Sequence, residues 1–252
     1  MDISTLKRNQ FLRSVELKRD NVESFSRYPY CLPVIKNLTR LEFHPKVTFI
    51  VGENGTGKST ILEAVATAYG FNPEGGTINF NFASMDTHSE LYNNIKLIKG
   101  GKKPENGFFL RAESFYNLAT NIDELDREVP GLISSYGGKS LHNQSHGESF
   151  FSVLMNRFGS KGLYILDEPE AALSPARQMA MISRIHKLVE EKSQFIIATH
   201  SPIIMAYPDS IIYEIKDNIE VREYEDTEHY QLMKSFINNT DKMIDILISD
   251  ED

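Results

Sequence analysis

An α/β fold built on a parallel sheet is what this sequence predicts, and three observations carry that expectation. The apolar runs "VTFIV" (47–51), "LYIL" (163–166) and "FIIA" (195–198) are short, rich in β-branched or aromatic residues, and do not alternate with polar ones. Strands buried on both faces have that composition. Between the runs, apolar residues recur at helical spacing, and an alternation of strand, helix and strand builds a sheet with helices on its faces. The third observation is a glycine-rich stretch directly after the first run, opening the first helix.

The elements follow in chain order. After 47–51, Ile61, Leu62, Val65, Ala66 and Tyr69 share one helical face that stops at Gly70. "TINFNF" (77–82) alternates, as a half-exposed antiparallel strand does, and predicts a separate small β element. Phe108, Phe109, Phe115 and Tyr116 suit core packing. After 163–166, Met179, Ile182, Ile185, Leu188 and Val189 mark a second amphipathic helix. The tail from Asp226 reads as two short amphipathic helices, the first capped by Thr227, covering a sheet edge or docking a partner.

The chain has 252 residues, 40% of them hydrophobic and 25% charged, with no repeat or low-complexity tract. These values fit a single domain over 1–252 with a variable insertion at about 71–145. Cys31 stands alone, so no internal disulfide forms; no apolar run spans a bilayer, and no secretory leader is visible. A cytoplasmic setting is the expectation. The net charge of -8 speaks against coating nucleic acid by bulk charge, yet leaves room for a local basic patch, so nucleic acid stays open as a partner.

"GENGTGKST" (52–60) fits G-x-x-x-x-G-K-[ST] between a strand and a helix, the context that makes this motif a phosphate cradle. Gly52, Gly55 and Gly57 allow the loop through Glu53, Asn54 and Thr56 to turn its N–H groups toward phosphate oxygens, and the following helix adds its dipole. Lys58 reaches the β- and γ-phosphates of a nucleotide, Ser59 offers its hydroxyl to Mg²⁺, and Thr60 continues the motif into the helix.

"LYILDEPEAALSP" (163–175) ends an apolar strand in two carboxylates. Asp167 stands where open α/β sheets bind ligands and can hold Mg²⁺; Glu168 can polarise a water. His200, in "ATHSP" at the end of the third strand, occupies the corresponding place and can steady a γ-phosphate. His142 and His146 are four apart, but no third ligand accompanies them and Gly147 interrupts the spacing.

With these motifs in order, the sequence resembles the ATP-binding cassette (ABC) family, most nearly small bacterial stand-alone AAA-family ATPases of ABC type. "SHGES" (145–149) lies where that family carries its LSGGQ signature: Ser145 and Gly147 agree, while Gln144, His146 and Glu148 replace Leu, Gly and Gln. The resemblance implies a RecA-like P-loop NTPase core of ABC ATPase type, with a small antiparallel β element and a short helical insertion. It also implies that Ser145, Gly147 and Glu148 close on the nucleotide of a second copy, so that ATP binding forms a head-to-tail homodimer. From the residues themselves, Ser145 with Glu148 also reads as a capping box for the helix that follows. Both roles use one exposed helix end.

"FFLRAESF" (108–115) occupies the place of the family's Gln-bearing loop, which puts Glu113 where that family contacts Mg²⁺. "EAALSP" resembles the loop after the family's catalytic glutamate, with Ser174 in place of Asp; Ser174–Pro175 also reads as a helix start. Tyr28 or Tyr30 stands where the family stacks an aromatic on adenine. The resemblance implies hydrolysis with Glu168 as base, Lys58 and His200 at the phosphates, and a partner protein that receives the work. Nucleic-acid maintenance or phage defence is the first expectation for that partner; the alternative is the energy subunit of a membrane transporter.

Overall fold

The computed structural model describes residues 10–78, 89–128 and 130–249. Among the described residues nine strands run in chain order: β1 (Leu12–Leu17), β2 (Arg40–Glu42), β3 (Val47–Gly52), β4 (Ile95–Lys99), β5 (Asn106–Arg111), β6 (Gly162–Asp167), β7 (Gln194–Ala198), β8 (Ser210–Ile215) and β9 (Ile219–Arg222). The helices are α1 (Pro33–Asn37), α2 (Lys58–Tyr69), α3 (Phe115–Glu128), α4 (His146–Asn156), α5 (Pro175–Glu190), α6 (Pro202–Met205), α7 (Glu228–Asn238) and α8 (Thr240–Ile248).

The main sheet has the order β5-β6-β7-β3-β8-β9. Its first five strands are parallel and β9 pairs antiparallel on β8. Every residue of β3, β6 and β7 is buried, which is why those strands read as unbroken apolar runs. Alternate residues feed two cores. Phe49, Phe108, Tyr164 and Phe195 face α3, α4 and α5, whereas Ile50, Phe109, Ile165 and Ile196 face α2 and the second sheet.

The second sheet is antiparallel, β2-β1-β4, so a small antiparallel element is present. It is built from 12–17, 40–42 and 95–99. Most of "TINFNF" lies outside the described residues.

The helices depart from the sequence expectations at several places. Met179 is exposed and Met181 takes the buried place on α5, because Pro175 starts the helix and sets its phase. At the start of α7, Thr227 occupies the cap position, but its Oγ1 donates to the Tyr224 carbonyl at 2.8 Å. The buried Glu214 carboxylate on β8 accepts from the Glu228 N–H instead, at 2.9 Å. Neither α7 nor α8 contributes a buried residue, and Leu232, Ile237, Leu247 and Ile248 stay exposed. The tail does not bury its apolar side against the sheet. Tyr116 also departs from the core expectation: it is exposed and rests edge-on against His142.

Parallel registry sets the site. Asp167 pairs with Arg111 on one side and Ala198 on the other, and Ala198 also pairs with Ile50 near the end of β3. The carboxyl ends of β5, β6, β7 and β3 therefore meet along one edge.

Candidate functional site

At that edge β3 runs into the loop 52–57 and then α2. Gly52, Gly55 and Gly57 all have positive φ, and at two of them no side chain fits. A Cβ on Gly52 would lie 2.3 Å from the Ile215 carbonyl oxygen, and one on Gly57 would lie 2.8 Å from Val34. Gly57 occupies the cap position of α2 without any side-chain cap, which leaves the helix N–H groups free of a competing acceptor. Within the loop, Thr56 Oγ1 donates to the Glu53 carbonyl at 2.9 Å, while Glu53, Asn54 and Gly55 are exposed. Lys58 is buried, and its Nζ donates to the carbonyls of Gly52 and Glu53, each at 2.8 Å. Burial lowers the pKa of this ammonium, while Glu168, Asp167 and Glu170 draw it back up.

Ser59 Oγ donates to Asp167 Oδ1 at 3.0 Å, joining the start of α2 to the end of β6 across 108 positions of sequence. Asp167 is 5% exposed. Its pKa is raised to about 6, chiefly by burial, against the opposing pull of Arg111 and Ser59. The hydroxyl and carboxylate form a hard oxygen pair beside a phosphate loop, and that donor set fits Mg²⁺.

Arg111 was not singled out in the sequence, yet its Nε lies 3.6 Å from Asp167 Oδ2 and has no hydrogen-bond partner among the described residues. Its other nitrogens reach Glu63 Oε2 at 2.8 Å and Glu113 Oε2 at 3.0 Å. Glu113 itself is 83% exposed in its side chain. From this strand the guanidinium, rather than the Glu113 carboxylate, is the group that touches Asp167. Adjacent pairing of Arg111 with Asp167 is the cause, and it depends on strand order, which sequence spacing does not carry.

Glu168 adopts φ +50, the left-handed region that a side chain enters at a cost of about 1–3 kcal/mol. Its N–H donates to the Ala198 carbonyl at 3.0 Å, and its Oε1 lies 3.4 Å from His200 Nε2. The base candidate and the histidine candidate are thus brought together. Glu170, also missed, accepts from the His200 backbone N–H at 2.5 Å; burial raises its pKa. The second imidazole nitrogen of His200 meets a residue from the tail, His229 Nε2, at 2.9 Å. Burial, followed by the charge of Lys58, lowers the pKa of His200 against the pull of Glu168.

A cavity of about 190 Å³ lies between Tyr28, Leu32, the loop, Thr60 and Glu168. Tyr28 is 64% exposed and its hydroxyl is 3.3 Å from Thr60 Oγ1, whereas Tyr30 is 7% exposed and its hydroxyl accepts from Asn94. Of the two aromatics, only Tyr28 faces the cavity.

Ser145 caps α4, and Glu148 closes back on it: Glu148 Oε2 accepts from the Ser145 N–H at 3.0 Å and from its hydroxyl at 2.7 Å. A Cβ on Gly147 would stand 2.5 Å from the Ala172 carbonyl oxygen, so this glycine has a local reason as well. Ser174 caps α5 by accepting from the Arg177 N–H. His142 contacts Thr120 and His146 packs on Phe115; among the described residues no cluster of ligand-type side chains could hold a metal ion by itself. No described helix is long and apolar enough to cross a membrane.

A family model described as an AAA domain matches residues 16–247. The cobalt import ATP-binding protein CbiO of Salmonella typhimurium is 27% identical over 203 residues, covering 75% of this chain and 72% of that protein. The energy-coupling factor transporter ATP-binding protein EcfA1 of Staphylococcus saprophyticus is 31% identical over 185 residues, 66% of each chain. An inward-facing structure of a metal-chelate type ABC transporter aligns with a TM-score of 0.51 at 16% identity, covering 89% of this chain and 88% of that one; this likeness concerns the fold alone.

Proposed function

Because the chain belongs to the AAA domain family and is of the ATP-binding cassette type, we propose that it binds Mg·ATP at the edge described and hydrolyses it to ADP and phosphate. The observation that carries this reading is the 3.0 Å bond from Ser59 to Asp167, which joins the phosphate loop to the acidic strand end.

Lys58 and the N–H groups of the loop and of α2 clamp the phosphates. Ser59 and Asp167 would hold Mg²⁺, which supplies neutralising charge at the β- and γ-oxygens. Glu113 reaches that ion only when Arg111 releases it. Glu168 takes the proton from the attacking water as the bond from γ-phosphorus to the bridging oxygen breaks. His200 donates toward the departing phosphoryl oxygens, and Tyr28 stacks on adenine.

The unit doing this spans 1–252 as a single cytoplasmic ATPase domain with its insertion at 71–145, and Ser145 and Gly147 complete the site of a second copy. As the work-receiving partner, a membrane transport complex is favoured over nucleic-acid maintenance or phage defence, because the curated relatives are named as transporter ATP-binding subunits.

Phosphate release by wild type and by Glu168→Gln tests hydrolysis, with an expected loss of about 10²- to 10⁴-fold in the variant while ATP still binds. Turnover within a few-fold of wild type would remove Glu168 from the role of base. Pairing is tested by mixing Lys58→Ala with Ser145→Arg, each inactive alone. A head-to-tail dimer rebuilds one whole site from their intact halves, so part of the activity returns. Mixed dimers seen by native mass spectrometry with no return of activity would argue against a shared site.

A further inference from the structure

The contact between His200 and His229 has a direction that the rest of the site decides. A hydrogen bond between two imidazoles needs an N–H on one ring and a lone pair on the other. The bond joins His200 Nδ1 and His229 Nε2, 2.9 Å apart, so the opposite nitrogen of His200 determines which ring donates. That nitrogen, Nε2, faces the Glu168 carboxylate at 3.4 Å. A lone pair there would oppose an electron-rich oxygen; an N–H there is attracted to it. Burial and the Lys58 ammonium both disfavour a second proton on the ring. A neutral His200 protonated on Nε2 keeps its lone pair on Nδ1, and His229 must then donate from Nε2. His229 Nδ1 has no hydrogen-bond partner among the described residues, and His200 Nε2 meets Glu168 as a charge contact without hydrogen-bond geometry, so it is the nearby negative charge that favours an N–H on that nitrogen.

His229 is delivered to this place by the start of α7. Glu214 Oε1 holds the Glu228 N–H, Lys216 pairs with Glu228 at 2.9 Å, and the Tyr224 hydroxyl donates to the Pro202 carbonyl at 2.9 Å, two residues beyond His200. The ring therefore sits on a fixed helix start.

We propose that His229 is a positioning residue: by donating to Nδ1 of His200 it selects the tautomer in which His200 presents an N–H from Nε2 toward Glu168 and the reacting phosphate. This rests on the ATPase function proposed above and adds to it a contribution from the tail helix. Without His229 the imidazole is free to carry its proton on Nδ1 and to turn a lone pair toward the phosphate.

Two measurements test it. Long-range ¹H–¹⁵N correlation spectra of the labelled full chain report the tautomer directly, with His229→Gln used for assignment. Wild-type His200 should show a protonated Nε2 and a bare Nδ1, and His229→Phe should show the opposite tautomer or a mixture. A protonated Nδ1 on wild-type His200 overturns the proposal.

In turnover, His229→Phe should lower kcat by about 10- to 100-fold, the usual scale for losing the partner that orients a functional histidine, with a much smaller change in the KM for ATP. His229→Gln keeps an amide donor at the same reach and should stay within a few-fold of wild type. Equal activity in all three proteins overturns the proposal, and equal loss in Phe and Gln variants reduces His229 to packing. If wild type releases no phosphate, it is the ATPase reading that fails, and the spectra still decide the hydrogen bond.

Discussion

Two helix starts in this molecule invite comparison, that of α2 after the phosphate loop and that of α4 at Ser145. Both follow a turn with glycine nearby, and both leave backbone N–H groups without intrahelical acceptors. At α2 the cap residue is Gly57, which offers no acceptor, so the N–H groups remain available to an outside anion. At α4 the chain supplies its own anion, the Glu148 carboxylate bound to the Ser145 N–H and hydroxyl. The two bonds to Ser145 lower the pKa of Glu148, against a smaller opposing effect of desolvation. The carboxylate at α4 takes up the Ser145 N–H and hydroxyl and leaves the N–H groups of His146 and Gly147 without an intrahelical acceptor, so that end is partly closed where the α2 end is open.

The sharpest way to break the contrast is Lys58→Ala, which removes the charge from the open end. ATP affinity measured by calorimetry should fall by about 10³-fold, the loss expected for two or three charge-assisted hydrogen bonds. Undiminished affinity would mean that the loop N–H groups alone suffice.

The open end also has a cost in stability, which Asp167→Asn exposes. In the fold the Asp167 pKa rises from 3.8 to about 6. The protonated form is the one the fold favours, so the group's contribution is fully present below about pH 4 and lost as pH rises through about 6. At pH 7.5 its ionised carboxylate costs up to about 3 kcal/mol. The Asn variant should therefore unfold at higher denaturant concentration than wild type at pH 7.5, with the gap narrowing below pH 5, while losing turnover. A less stable variant at pH 7.5 would show that the ties to Arg111 and Ser59 outweigh the cost of burial.

At the partly closed end, Gly147→Ala drives a Cβ toward the Ala172 carbonyl. Denaturant melts should show a loss of about 2 kcal/mol, the range of overpacking. Smallest is Ser145→Ala, which removes one partner of the cap and should cost about 1 kcal/mol in the same melts. If either variant leaves stability intact but abolishes activity, the segment acts on a second copy and hardly at all on its own helix.

What the sequence made legible follows the same division between local and long-range causes. The strands β3, β6 and β7, helix α2 and the loop 52–60 were readable because burial on both faces and a contiguous motif leave their mark residue by residue. Asp167, Glu168 and His200 were readable as strand ends. Arg111 was not, since it meets Asp167 only through the pairing of β5 with β6. Tyr28 and Tyr30 flank the same proline, and what separates them, burial and the partner of each hydroxyl, is set by the fold. His229 reaches His200 from a helix whose own pattern suggested a peripheral tail, and the cap of α7 came from Glu214 because Thr227 spends its hydroxyl on Tyr224.

Glu214 also limits how the chain can be divided for engineering. It lies on β8 beside the strand that ends in Gly52, and Gly52 presses so closely on the neighbouring Ile215 carbonyl that no side chain fits. The compensation for its buried carboxylate comes from the Glu228 N–H and from Arg222 at 3.5 Å. A fragment stopped at the end of the sheet would remove the first of these and leave a buried anion half-paired next to the phosphate loop. Split-protein reporters and shortened versions of this domain should therefore keep the whole of α7 and place their junction beyond Asn238.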